Sequence, residues 1–203
     1  MRKQIFFTSD WHISHENSIK FDNRPFRDLA HMHSELIKNF NKQVPENGLT
    51  YFLGDIFIGS SEEAKTVLSQ LNGTKILIVG NHDKNYEASY SIGFDAVLNG
   101  AKIKIHNQIV TLSHCPLLGL PREDMSEYPH KGVNWHGEQK CKRFSFENDN
   151  QFHLSGHIHS PNGGKSKTID GRQMDVGVCG NSYRPVHISK VESWIMKTLK
   201  EGK

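Results

Sequence analysis

Five short polar clusters in this chain carry residue types that bind metals and move protons. They are Asp10-Trp11-His12, Gly54-Asp55, Gly80-Asn81-His82-Asp83, Ser113-His114 and Gly156-His157-Ile158-His159. Together they offer carboxylates, imidazoles and one carboxamide. Such a mixed nitrogen and oxygen set suits Mn²⁺, iron, Zn²⁺ or Ni²⁺, and the absence of thiolates argues against iron–sulfur and copper(I) chemistry. In Asp10-x-His12 and His157-x-His159 the ligand types are two residues apart. A straight strand would send them to opposite faces, so each pair must sit where the chain turns past a strand end. Gly54-Asp55 or Ser113-His114 alone is ordinary loop chemistry and the GNHD and GHIH clusters are more specific, but all five in this order, each at a strand end, are hard to produce by chance.

The elements that must position them read directly from hydrophobic spacing. Gln4–Thr8, Leu49–Leu53 and Lys75–Val79 are short apolar runs, each ending in one of the clusters, and they read as buried strands. Between them, Asp28 caps a helix whose apolar residues recur from Leu29 to Phe40. The Ser60-Ser-Glu-Glu63 stretch looks like a capping box opening a second helix, with Gly73 as its C-terminal glycine. Strand–helix–strand–helix–strand with polar carboxyl ends is how open α/β sheets place their sites. The second half changes character. Asn99-Gly100 predicts a hairpin joining Phe94–Leu98 to Ala101–His106, and Asp170-Gly171 predicts another. Gln108–Ser113, Phe152–Ser155 and Met174–Val178 are further strands. Ser189 and Glu192 form a second capping-box signal for a closing amphipathic helix. The stretch 120–152 is long, polar and aperiodic, which suits a lid over the site.

Composition narrows the class. The 203 residues predict a single domain over 1–203. The 25 Lys+Arg and 22 Asp+Glu leave +3, too even to call for a nucleic-acid or membrane partner. No apolar run approaches the ~18 residues of a spanning helix. The apolar stretch before Asp10 is too short for a signal-peptide core, and three widely spaced cysteines make no disulfide framework. Both points suit a cytoplasmic protein.

Taken in order, the clusters resemble the pattern of the calcineurin-like metallophosphoesterase superfamily: DxH, GD, GNHD, H and GHxH. The stretches His15-Glu-Asn17 and Asn23-Arg-Pro-Phe26, with Val176-Gly-Val178 and Tyr183-Arg-Pro-Val186, resemble a small bacterial and phage subgroup. The resemblance implies an α/β fold built as a two-sheet β sandwich flanked by helices, and two divalent metal ions per chain, manganese foremost. Asp10, His12, Asp55 and His159 would hold one ion. Asp55, Asn81, His114 and His157 would hold the other, with Asp55 shared. His82 would face the scissile phosphate as general acid or charge stabiliser, and Asp83 would orient its ring. Arg24 reads as a phosphate clamp and His15 as a substrate contact, while Cys115 reads as packing. The implied activity is hydrolysis of phosphodiesters or phosphomonoesters of small nucleotide-like molecules, by in-line attack of a water activated between the ions. A nuclease acting on polymers is the rival. It would use the basic residues Lys131, Lys140, Lys142, Arg143, Lys165 and Lys167, but acidic residues interleave with them. A silent interaction module on the same fold would lack ligands, and every position of the pattern is filled.

Overall fold

The structure is a computed structural model that describes residues 4–83, 86–116, 146, 149–160, 168–169 and 171–202. Two five-stranded sheets dominate it. The first is built from β1 (Ile5–Thr8), β2 (Leu49–Phe52), β3 (Thr74–Ile78) and β4 (Ala96–Leu98), all parallel, with β10 (Val186–His187) antiparallel on the β1 edge. The second runs in the order β5 (Ala101–Ile105), β6 (Gln108–Leu112), β7 (Phe152–Ser155), β9 (Gln173–Asp175) and β8 (Thr168–Ile169). Among these, β6, β7 and β9 are parallel.

Alternation within the strands sorts their side chains into two cores. Phe7, Leu53 and Ile78 face Val110, Leu112, Leu154 and Met174 across the space between the sheets. There α5 (Ile188–Lys200) adds Val191, Trp194 and Ile195. The other face of the first sheet presents Phe6, Phe52 and Leu77 to α2 (Leu29–Asn41) and α3 (Ser61–Leu68), which contribute Met32, Leu36, Phe40, Ala64, Val67 and Leu68. Both helices start where the sequence places them. Asp28 accepts from the His31 amide at 2.8 Å, and the Ser60 hydroxyl accepts from the Glu63 amide at 3.2 Å. Helices α1 (Glu16–Phe21) and α4 (Tyr86–Ser91) are six-residue pieces that the sequence spacing did not single out.

Several expectations are corrected. Asn99-Gly100 joins no hairpin: β4 pairs with β3 in the first sheet, and β5 pairs with β6 in the second, so this turn is the crossover between sheets. The hairpin turn falls at His106-Asn107, both with positive φ (46° and 61°), as a two-residue turn between twisted strands requires. Gly73 does not end α3, whose C-cap is Ser69; it turns the chain into β3 with φ of 77°. Helix α5 is capped by His187, whose ring accepts from the Ser189 amide, two residues before the expected box. Alternation with Phe152 and Leu154 predicts a surface position for His153. It is buried, shared between the Ser113 hydroxyl (2.7 Å) and Gln173 (3.2 Å), and burial pushes its pKa down to about 4. His33 on α2 is buried against Glu63. The expected Asp170-Gly171 turn joins the antiparallel β8 and β9. The expected lid at 120–152 lies outside the described residues apart from 146 and its last four positions, the final one opening β7. No helix among the described residues is long and apolar enough to cross a membrane.

Candidate metal centre

Three of the candidate ligand loops leave their strands by turning left-handed. Asp10, His12, Asp55, His157 and His159 have φ of 59°, 54°, 54°, 70° and 44°. Side chains pay of order 1–3 kcal/mol for such a conformation, and it persists where the surroundings fix it. Here it lets residues two apart converge. Between Asp10 and His12, Trp11 points away into the core, donating Nε1–H to the Thr8 hydroxyl at 2.8 Å. The loops are tied to one another by backbone bonds from Asp10 to Gly54 (3.1 Å), His12 to Asp55 (3.1 Å) and Ile13 to Ile56 (2.9 Å). Gly54 and Gly80 pack so closely that a Cβ on Gly54 would stand 2.7 Å from the Gly80 Cα. That contact explains why both motifs open with glycine.

Asp10, His12 and His159 place ligand atoms within 4.8 Å of one another, as do Asp10, Asp55 and His114. The His12 and His159 Nε2 atoms face each other at 3.0 Å. His114 Nε2 lies 2.9 Å from Asn81 Oδ1, 3.2 Å from His157 Nδ1 and 3.3 Å from Asp55 Oδ2. All seven residues expected as metal ligands therefore meet in one place. Outer contacts hold several of them. The His114 Nδ1 is paired with the Leu53 carbonyl at 2.8 Å, the His159 Nδ1 with the Asp22 carboxylate at 2.9 Å, and Asp10 accepts the His157 amide at 3.0 Å.

The electrostatics fit a cation. Burial opposes charge on His114 and His159, yet the carboxylates of Asp55 and Asp10 outweigh it and push both imidazoles up to about 10. Despite their burial, Asp10 and Asp55 are in turn held below the usual carboxylate range by these imidazoles. His12 is driven the other way, well below its ordinary value, by burial and by the neighbouring His159. Its Nδ1 is buried and has no hydrogen-bond partner among the described residues. A centre in which protons on two imidazoles balance two buried carboxylates is one that a divalent ion suits.

His82 stands apart from the ligands at the mouth. Its side chain is 49% exposed, its Nε2 lies 3.9 Å from Asp55 Oδ2, and its ring is 5.8 Å from that of His12. The His15 ring lies 5.5 Å from His12. Two expectations give way. Asp83 does not hold the His82 ring; its carboxylate accepts the amides of Asp55 (2.9 Å), Ile56 (2.9 Å) and Gly80 (2.8 Å) and so fastens two metal loops together. Burial and the adjacent Asp55 push its pKa up to about 6. Arg24 does not face the mouth, because its guanidinium is enclosed beneath the Asp10 loop. Asp22 was not singled out at all, since a lone aspartate between a helix and Asn-Arg-Pro carries no spacing signal. Cys115, read as packing, has its sulfur within 4.8 Å of ligand atoms of His114 and His157.

The family model for calcineurin-like phosphoesterases matches residues 3–161. The chain belongs to the calcineurin-like phosphoesterase family. This family membership implies phosphoesterase activity in general and divalent-metal binding. A relative, the uncharacterized protein MJ1445 of Methanocaldococcus jannaschii, is 32% identical over 148 residues, 62% of this chain and 81% of that protein. The protein of unknown function AQ665 from Aquifex aeolicus shares the fold, with a TM-score of 0.69, 24% identity, and coverage of 95% of this chain and 99% of that one. The two-sheet architecture flanked by helices is thus that of calcineurin-like phosphoesterases.

Proposed function

We propose that this chain hydrolyses phosphodiesters or phosphomonoesters of small nucleotide-like molecules at a centre for two divalent cations. Asp10, His12, Asp55 and His159 would hold one ion, and Asp55, Asn81, His114 and His157 the other. The observation that carries the reading is the convergence of two Asp/His clusters, buried and adjacent, beneath an exposed histidine. The chemistry that two cations held by these residues would supply is neutralisation of phosphoryl oxygens and a water whose pKa is brought toward ~7. Asp10 is the member common to the two Asp/His clusters, and Asp55, the shared ligand in the family resemblance, stands 3.3 Å from His114 Nε2. Asp55 Oδ1 also accepts the His82 amide at 2.9 Å, which fixes the carboxylate and sets where His82 projects. His82 then gives a proton to the departing oxygen. His15, whose ring lies 5.5 Å from that of His12 and whose buried Nδ1 meets no partner among the described residues, is the substrate contact. Manganese is the proposed ion, with iron, zinc or nickel as substitutes.

A screen of divalent metals against bis(p-nitrophenyl) phosphate and p-nitrophenyl phosphate, then cyclic and linear nucleotides, tests this. Turnover that needs added metal and is abolished by a chelator is the expected result. Metal-independent turnover, or none with any ion, overturns it.

The proton inventory gives a second test. With His114 and His159 raised from about 6.5 to about 10, both are charged in the metal-free fold at pH 8. Their contribution to metal-free stability is full below about pH 6.5 and is lost as pH rises through about 10. Cation binding must displace both protons, so affinity should climb with pH up to that limit. Calorimetric titrations at pH 8, in buffers of different ionisation enthalpy, should report about two protons released per chain. A buffer-independent heat would contradict the assignment.

A further inference from the structure

The segment following α1 builds a structure under the metal loops that none of the strand-end motifs contains. Both Asp22 oxygens lie 2.9 Å from His159 Nδ1. Arg24 donates Nε and Nη2 to Asp22 Oδ2 at 3.0 and 2.8 Å. The same guanidinium donates to the carbonyls of Asp10 (3.0 Å) and Trp11 (2.9 Å). Its side chain is 0% exposed and that of Asp22 is 2%. Replacing such an enclosed ion pair by apolar packing is often neutral or stabilising, so what this one supplies is geometry rather than stability.

We propose that Asp22 is a positioning residue for His159, and that Arg24 locks it to the Asp10 loop. The inference rests on the two-ion reading above. By accepting the Nδ1–H, Asp22 selects the tautomer whose lone pair is on Nε2. That nitrogen is the one facing His12 Nε2 at 3.0 Å and Asp10 Oδ1 at 3.5 Å. The other ion position has a different support, because His114 Nδ1 meets a neutral carbonyl, that of Leu53. Asp22 therefore governs only one of the two positions. It also bridges the sheets, since Asp10 follows β1 of the first sheet and His159 follows β7 of the second.

The test is Asp22→Asn, titrated with Mn²⁺ by calorimetry beside the wild type. The carboxamide can donate to Nδ1 and so favours the wrong tautomer. One of two ions should bind ~10–100-fold more weakly and the other unchanged. A folded variant that binds both with wild-type affinity overturns the proposal. Should the variant not fold, nitrogen-15 NMR of histidine-labelled, Zn²⁺-loaded wild type decides it, with His159 assigned by His159→Gln. A proton on Nδ1 supports the inference, and one on Nε2 overturns it. A wild-type chain that takes up fewer than two Mn²⁺ ions overturns the two-ion reading instead, and the His159 tautomer still decides the role of Asp22.

Discussion

Asp55→Asn should leave a folded chain that no longer holds two ions and turns over substrate far more slowly. The loss should exceed the ~10–100-fold that removal of a merely supporting partner costs. The carboxamide keeps an oxygen for the His82 amide, which Asp55 Oδ1 now accepts, so the loop is retained. What disappears is the negative charge set between His114 and His12. With it goes the pull that raises the His114 imidazole, so that group should titrate nearer its ordinary value in the metal-free variant. Metal content after dialysis, melting temperature with and without Mn²⁺, and turnover of bis(p-nitrophenyl) phosphate measure the three effects. Two ions per chain at full activity would remove Asp55 from the shared position.

His82→Ala should separate catalysis from binding. Its ring is at the mouth, with Nε2 3.9 Å from Asp55 Oδ2, and it belongs to none of the Asp/His clusters, so both ions should stay. Turnover should fall ~10²–10⁴-fold, the usual range for a lost general acid–base group. The fall should depend on the leaving group. Nitrophenolate departs without a proton, so aryl esters should suffer less than ribose or alkyl esters, whose alkoxides need one. Equal losses on both kinds would assign His82 to charge stabilisation. A missing ion in the variant would make it a ligand.

The sequence exposes the metal loops because their chemistry is local. Asp10, His12, Asp55, Asn81, His114, His157 and His159 each lie beside an apolar strand run, and their rarity there is the signal. The strands of the first sheet are legible for the same reason: a buried parallel strand is a short apolar run with a polar end. What escapes is whatever depends on partners distant in sequence. Asn99-Gly100 specifies a tight turn, but nothing local says that β4 and β5 belong to different sheets. His153 alternates with Phe152 and Leu154 as a solvent-facing residue would, and only tertiary packing puts Ser113 and Gln173 over it. Asp83 sits next to His82 in sequence, which suggests a contact, yet two amides of the Asp55 loop and one of its own loop take its carboxylate. Arg24 looks like an available cation until Asp22, two residues earlier, is seen to enclose it.

The crossover at Asn99-Gly100 has a mechanical meaning for the whole molecule. Asp10, His12, Asp55 and Asn81 hang from the first sheet, and His114, His157 and His159 from the second. If the proposed ions are bound, they would be gripped by both groups like rivets across the seam, and opening the centre would mean prising the sheets apart. Loading then acts by mass action on global unfolding: an ion at a thousand times its dissociation constant adds ~4 kcal/mol, provided that the unfolded chain does not bind it. Chelation should accordingly quicken amide exchange along the whole length of the inter-sheet strands β6 and β7, and not only in the loops at their carboxyl ends.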